Sequence, residues 1–376
     1  MSKIAASGAN AVAVTSRRIR LGASASESRL FEEWDELFES SPTASPYNHR
    51  AWTSTWIDHF AAGEQVEMVE VRDGSRLVGL LPLVSARAPM GTFATLMPAG
   101  GDLADDGEPL LGPDPELAAR AIAGYLCGRV RRSTRSFCLP RLADDGPMAT
   151  ALAATLPGHM RQVCVAETTR LSIRFELFED AGPSLARIAK RRDVPRNRRR
   201  LSEAHRVDYI DNDCSEQSIG QLLELNAARW SEGAEQEQGL FATRASRAFA
   251  CDAIVALGRA GVARLGSLTA DGEPFAMGLG YVVGQRYIGH KLVVSRDLAR
   301  YGPGQMMIHQ LAQDALDGGL REYDLGRGDS PFKRQWANHE RRVVSCAVVR
   351  SGPFGNLQLL AQRAQQSRRV RQTGRS

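Results

Sequence analysis

The sequence predicts an α/β (α+β) protein of two tandem lobes, each a mixed, mostly antiparallel sheet flanked by helices. Three observations predict it. The chain has 376 residues, enough for two domains of ordinary size. Apolar residues make up 43% and charged residues 24%, a globular balance with material for one or two cores. The same outline also occurs twice: helix-period segments, then a strand, an Asp-Gly turn and a second strand, with the turns at Asp73-Gly74 and Asp271-Gly272. Asp-Gly turns are common, so this repetition is the weakest of the three.

The first 22 residues are rich in Ala and Ser, and Arg17, Arg18 and Arg20 follow the apolar run. A signal peptide carries its charges before that run, so the start is read as a loose tail. Helical spacing begins with Leu30, Phe31, Trp34, Leu37 and Phe38, and resumes with Trp52, Trp56, Ile57 and Phe60 after a Pro- and Ser-rich turn. Val66 to Val71 and Leu77 to Val84 form a hairpin pattern around Asp73-Gly74. A Gly-, Asp- and Pro-rich loop spans 98–115. A helix is expected over 115–131, a short strand over 136–139, and a join between lobes over 156–169.

A basic, helix-like stretch follows at 184–206, and Pro195 marks a break or restart within it. A further helix is expected over 215–230. The final third is the most regular. Strands are expected over 262–269, 275–283 and 286–294, with turns at Asp271-Gly272 and Gly284-Gln285. A helix over 303–317 ends at Gly318-Gly319, and a strand over 320–325 follows. The helix is amphipathic: Met307, Ile308, Leu311, Ala312, Ala315 and Leu316 face inward, Gln310, Gln313, Asp314 and Asp317 outward.

Composition excludes several classes. The formal net charge of +5 permits an anionic ligand without demanding nucleic acid or a membrane. No stretch approaches the ~20 apolar residues of a membrane span. The cysteines form no CxxC pair and sit at no metal-ligand spacing from histidine, so reduced thiols, a cytoplasmic location and no metal are expected.

The loop Arg300-Tyr301-Gly302-Pro303-Gly304-Gln305 carries the clearest chemistry. Its glycines let the backbone approach a ligand, and Pro303 pre-sets the first helical turn. Unpaired N–H groups and the positive end of the helix dipole then suit a pyrophosphate. A plain Gly-Pro helix start is the simpler reading of the same residues.

The order strand, hairpin, strand, Gly-rich loop, helix, strand resembles the GNAT acyltransferase core. Tyr301 to Gln305, then Glu322-Tyr323-Asp324-Leu325-Gly326-Arg327-Gly328-Asp329, then Pro331-Phe332-Lys333 and Trp336, are similar to the CelD branch of that superfamily. That branch is named for cellulose biosynthesis and is distantly related to the FemABX peptidyltransferases. The motif match covers 301–336, and a looser likeness runs over 31–344. The common GNAT loop places Gln or Arg first, then two residues, Gly, one residue, and Gly or Ala. Arg300 lies one position too close to Gly302 for that form.

The resemblance divides the chain into a disordered tail at 1–25, an N-terminal GNAT-like lobe at 26–160, a C-terminal catalytic lobe at 161–350 and a basic tail at 351–376. It implies donor binding by Arg300, Gly302, Gly304 and Gln305. Acyl transfer needs a proton removed from the acceptor and a developing oxyanion stabilised. Asp324 is the candidate to orient or deprotonate the acceptor; the other reading is a structural carboxylate paired with an arginine. Lys333 matches the lysine of the Fem-type Phe-Lys motif, a positive charge near the acyl carbon or donor phosphates, with a surface lysine as the alternative. Arg327 and Asp329 flank the same loop as weaker candidates for the substrate. His290 and His309 could act as bases, although a core or surface role fits each better. The basic stretch reads as a solvated face or as a positive wall for an anionic ligand. Trp52 and Trp56 read as core.

The implied activity is transfer of an acyl group, acetyl first among them, from acyl-CoA to an amine or hydroxyl on a small-molecule or saccharide acceptor. The setting it implies is exopolysaccharide or cell-envelope metabolism. Fem-type relatives use aminoacyl-tRNA, which would make tRNA the partner instead. A GNAT-like accessory protein without catalysis is the third reading.

Overall fold

The computed structural model describes residues 12–19, 25–62, 65–87, 94–132, 136–230 and 240–353. The chain forms two compact units. The first is Met1–Thr169 with Arg341–Ser376, and the second is Arg170–Glu340.

The first unit runs β1 (Ala13–Ile19), α1 (Ala25–Ser40), α2 (Arg50–Phe60), β2 (Val66–Asp73), β3 (Arg76–Arg87), β4 (Ala94–Pro98), β5 (Leu110–Leu111), α3 (Pro115–Arg132), β6 (Ser136–Ala143), α4 (Pro147–Thr155) and the start of β7 (Met160–Arg174). Its strands are ordered β1-β2-β3-β4-β6, followed by the late strand His339–Arg350, with β5 added to β3. Only β4 and β6 run parallel among these pairs. The repeat of small and aliphatic residues on α3 lets it lie flat on the sheet. Ala118, Ala119, Ile122, Ala123 and Leu126 are fully buried against Val69, Val71 and Leu81.

Residues 13–19 were expected in a disordered tail, and here the structure differs. The strand β1 pairs with β2 throughout its length. Its arginines are explained by buried acids on β2: Arg17 Nε lies 2.7 Å from Glu70 Oε1, and Arg18 Nε 3.9 Å from Glu67 Oε2. Glu67 also accepts from Tyr125 Oη and Arg129, and Glu70 from Arg72. The rest of the expected N-terminal tail, 1–11 and 20–24, and residues 354–376 of the basic C-terminal tail lie outside the described residues.

The second unit continues with α5 (Ala181–Arg191), α6 (Val194–Ser202), β8 (Val207–Ile210), α7 (Glu216–Trp230), α8 (Arg244–Arg259), β9 (Ala263–Ala270), β10 (Glu273–Val283), β11 (Arg286–Val294), α9 (Pro303–Asp317), β12 (Glu322–Asp324), α10 (Pro331–Arg334) and the start of β13 (His339–Arg350). Its strands are ordered β7-β12-β11-β10-β9-β8, with β11 and β12 parallel and the other pairs antiparallel. Pro195 sits in the first turn of α6, and the chain breaks before it at Asp193, which adopts φ 57°. Glycines bring α9 close to the sheet. A Cβ on Gly278 would stand 2.7 Å from Leu311 Cδ1, and one on Gly280 would stand 2.4 Å from the Tyr287 ring.

Apart from β5, which precedes α3, the same element order therefore occurs twice: β1-α1-α2-β2-β3-β4-α3-β6 and β8-α7-α8-β9-β10-β11-α9-β12. In each, one helix joins the two parallel strands. Both Asp-Gly pairs are the hairpin turns, with Gly74 at φ 58° and Gly272 at φ 90°.

Two further expectations are corrected. Asp314, expected to face water, is half-buried, because Tyr209 Oη and Gln310 Nε2 donate to its carboxylate. Burial raises its pKa. Cys164 and Cys346 form a disulfide within the first unit, with Cα atoms 4.2 Å apart, whereas the cysteines were expected to be reduced. The partners are 182 residues apart in sequence, beyond the reach of any spacing rule. The cytoplasmic expectation loses the support it took from reduced thiols. Among the described residues, no helix is long and apolar enough to cross a membrane.

Candidate functional site

The second unit places its chemistry where β11 and β12 part. Their parallel pairing covers Arg286↔Glu322, Tyr287↔Tyr323 and Ile288↔Asp324, and stops there. Beyond it β11 continues to Val294, while the other chain turns away through 325–330. Two glycines form the crotch of this fork. A Cβ on Gly289 would stand 3.1 Å from Asp324 O, and one on Gly326 would stand 2.2 Å from Gly289 O. Gly326 also needs its left-handed backbone, φ 78°.

Asp324 and Lys333 hold this turn from two sides. Asp324 is buried. Its Oδ1 accepts from Gly326 N at 2.8 Å, and its Oδ2 lies 2.9 Å from Arg170 Nε on β7. The Arg170 N–H does not point along that line, so the contact is an ion pair rather than an aligned hydrogen bond. Lys333 Nζ donates to Gly326 O at 3.2 Å and Arg327 O at 2.6 Å. The Asp329 carboxylate is engaged by the Arg334 guanidinium through Nε at 2.7 Å and through Nη2, at the surface. The Arg327 guanidinium makes no ion pair among the described residues, and its backbone carbonyl belongs to the Lys333 clasp.

The Gly-Pro-Gly loop opens α9. Gly302 takes φ 64° and precedes Pro303, which has no N–H. Gln305 N and Met306 N close back on Gly302 O, at 3.0 and 3.3 Å, which leaves Gly304 N as the outward donor of this turn. Arg300 stacks on Tyr301, its Cζ 4.9 Å from the ring centroid, and Arg200 of α6 lies 5.9 Å from the same centroid. Both arginines are exposed. The helix start, its dipole and two guanidiniums form one positive corner. Gln305 has a different task from the one expected of it. Its Oε1 accepts from Trp336 Nε1 at 2.6 Å and its Nε2 donates to Gln335 Oε1 at 3.0 Å, which ties α9 to the end of α10.

The fold brings Asp324, Lys333, Arg327 and Gly326 together at the fork, and Arg300, Gly302 and Gly304 together at the helix start. It places Asp329 on an exposed ion pair. His309 packs against Trp336, ring centroids 6.1 Å apart, and burial lowers its pKa. Two contributors escaped the sequence. Arg170 lies just past the interval read as a join, and Arg200 is one among many arginines of a basic run. Only alternation along β7 could have hinted at the first. Among the described residues, no group of three or more His, Cys, Asp or Glu is placed to hold a metal.

Residues 189–334 match a family model described as an acetyltransferase (GNAT) domain. This segment of the chain is similar to a GNAT acetyltransferase domain. No curated protein matches the sequence. Among solved structures, the chain is similar to FemX, at 10% identity and TM-score 0.61, covering 87% of this chain and 96% of that one. It is also similar to the C-terminal domain of a putative lysylphosphatidylglycerol synthetase from Agrobacterium fabrum, at 11% identity and TM-score 0.55, covering 89% and 95%. L-PGS from Bacillus licheniformis gives 12% identity and TM-score 0.55, covering 92% and 97%. These likenesses concern the fold.

Proposed function

We propose that the protein moves an acyl group, acetyl first among them, from acyl-CoA to an amine or hydroxyl acceptor, and that the GNAT-fold domain binds the donor. The observation that carries this reading is the contrast between the two helix starts that follow equivalent strands. In the second unit α9 starts at Pro303-Gly304, and Arg200 and Arg300 lie against the ring of Tyr301, three residues before Gly304. In the first unit a carboxylate already occupies the start of α3, where Leu117 N donates to Asp114 Oδ1 at 3.1 Å. An anion is favoured at the former and repelled at the latter.

The residues fit such a donor. Gly304 N–H and the two guanidiniums suit the diphosphate, and the length of β11 left unpaired by β12 offers backbone groups to the amide-bearing arm. In this proposal Asp324 and Lys333 act on the donor site by fixing the Gly326–Arg327 turn, and Arg327 is the side chain of that turn left to meet substrate. Asp329 pairs with Arg334, the residue after Lys333. Membership of the CelD branch, and with it an acceptor from exopolysaccharide or cell-envelope metabolism, rests on the motif at 322–336.

A second reading, an aminoacyl-tRNA donor, is favoured by one observation: Arg196, Arg198 and Arg199 continue the positive corner along the exposed side of α6. The two readings separate by experiment. Acetyl-CoA, longer acyl-CoAs and coenzyme A should raise the melting temperature by mass action. Arg200→Ala with Arg300→Ala should abolish that shift, and Asp114→Ala should leave it intact. Release of coenzyme A thiol over a panel of sugars and amines then tests transfer. Indifference to every coenzyme A form, with tRNA binding that falls steeply with salt, would replace the first reading by the second. Donor binding without acylation of any acceptor would leave an accessory protein.

A further inference from the structure

The first unit holds an acid that the proposed transfer does not use. Its parallel strands β4 and β6 pair only at Thr95↔Ser136 and Leu96↔Phe137. The strand β4 ends at Pro98, while β6 runs on to Ala143. The loop at 99–109 covers the edge of β6 that β4 leaves. Arg141 Nη2 donates to Gly101 O at 2.8 Å, Gly107 N to Arg141 O at 3.4 Å, and Ala143 N to Glu108 Oε1 at 3.2 Å. The approach is close: a Cβ on Gly107 would stand 1.9 Å from Pro140 O. The cover is also strained. Arg141 takes the left-handed φ of 57° without being glycine, and its N–H is held by Ser345 Oγ at 3.0 Å.

Glu108 is the anchor of this loop that a proton controls. One carboxyl oxygen takes the Ala143 N–H. The other, Oε2, is buried and has no hydrogen-bond partner among the described residues. A charge on it would have neither water nor a donor. Asp106 on the loop and Asp145 on the turn before α4 add like charge, while Arg341 near the start of β13 opposes them. Burial first, and Asp106 next, push the carboxyl up to about 8. The other charges packed around the loop are engaged elsewhere: Arg141 holds Gly101 O, Asp105 accepts from Tyr47 Oη at 3.4 Å, and Arg342 lies 3.5 Å from Asp144. The segment before α2 meets the loop through neutral groups, with Thr43 Oγ1 donating to Pro109 O and Asn48 Nδ2 to Glu108 O.

We propose that Glu108 is a proton latch: its neutral carboxyl holds residues 99–109 over the edge of β6, and its ionisation releases them. An open loop returns the carboxyl to water and to its ordinary value of 4.5. Below 4.5 both forms carry the proton, and the loop is held fully. Between 4.5 and about 8 each opening releases a proton, so the opening constant rises about tenfold per pH unit. Above that range both forms are charged and the rise stops. His49 titrates in the same unit with the opposite sense, weakening the fold as pH falls, so it does not imitate a loosening that grows as pH rises. Release uncovers the Arg141 guanidinium and the backbone of 140–143. The latch does not depend on the identity of the acyl donor.

The test is hydrogen exchange on the full chain, read as protection factors after correction for the intrinsic rate at each pH. Protection at Gly107 N and Ala143 N should fall by about 100-fold or more between about pH 5 and 8, while the amides of α3 change far less. Glu108→Gln keeps an acceptor for Ala143 N without the titration, so its protection at both amides should stay within about threefold over that range. Asp106→Asn keeps the oxygen that accepts from Glu108 N and removes the nearest like charge, so its loosening should be smaller and should level off at lower pH. Wild-type protection that does not change with pH overturns the latch, as does a Glu108→Gln profile that follows the wild type. If Glu108→Gln does not fold, the Asp106→Asn profile decides, and one that coincides with the wild type overturns it.

Discussion

At the scale of single residues, a half-buried histidine and a buried ion pair decide how the protein responds to acid and to substitution. His49 caps α2, its Nδ1 accepting from Ala51 N at 3.0 Å, with Phe38 packed edge-on against the ring. Burial pushes the imidazole down to about 4. The unfolded chain binds the proton near the ordinary value of 6.5, so between 6.5 and 4 it holds more protons than the native state does. Stability falls as pH drops through that window and levels off below it. The loss is on the order of 3 kcal/mol. Urea melts of the wild type and His49→Asn between pH 7 and 4 check this, since the asparagine keeps a cap without the titration; parallel curves would refute it. Arg170 and Asp324 set the second response. Removing one partner of a buried pair leaves a charge without compensation, at about 3–5 kcal/mol. Asp324→Asn keeps an acceptor for Gly326 N but strands the Arg170 charge. Arg170→Met with Asp324→Asn should recover much of the loss, a coupling that a double-mutant cycle measures.

At the scale of elements, the fork between β11 and β12 is held open by glycine rather than by bulk. A Cβ on Gly326 would stand 2.2 Å from a backbone oxygen that has no flexible side chain to give way. Gly326→Ala should therefore cost several kcal/mol, more than the ~1 kcal/mol of an ordinary Gly→Ala change at positive φ. Gly74→Ala, where the added Cβ meets nothing, should show only that smaller cost. Thermal melts of the two variants make the comparison, and equal losses would show that the fork tolerates a side chain. Periodic elements of the second unit were legible in advance: β11 and α9 occupy the residues their patterns mark out. Elements whose pattern is masked by partners were not. The strand β1 looks like a charged tail until Glu67 and Glu70 are seen on β2, and Asp314 looks solvent-facing until Tyr209 arrives from β8. The loop at Gly302, proposed above to bind an anion, was recognisable as a helix start from its glycines and Pro303. The arginine from α6 that completes it was not, because no local signal separates Arg200 from its neighbours.

At the scale of the whole chain, the duplicated order of elements gives two units of one design with different chemistry at the equivalent helix start, a carboxylate at Asp114 and an open N–H at Gly304. The folded chain also holds a covalent link between residues far apart in sequence. Cys164 on β7 and Cys346 on β13 both belong to the first unit, yet the whole second unit lies between them in sequence. Joining residues 182 apart removes a large part of the unfolded chain's freedom. The chain-entropy model puts the effect at about 5 kcal/mol, an upper figure because a real denatured chain keeps some structure. The other cysteines, Cys127, Cys138, Cys214 and Cys251, form no disulfide, and burial raises the thiols of Cys127, Cys214 and Cys251. Protein denatured without reductant should therefore titrate as these 4 thiols, and after reduction as all 6 cysteines of the sequence. The reduced form should melt well below the oxidised one. Cys346→Ser should melt like the reduced wild type and lose its response to reductant. A count of six thiols before reduction, or a melting point indifferent to reductant, would remove the link and the stability assigned to it.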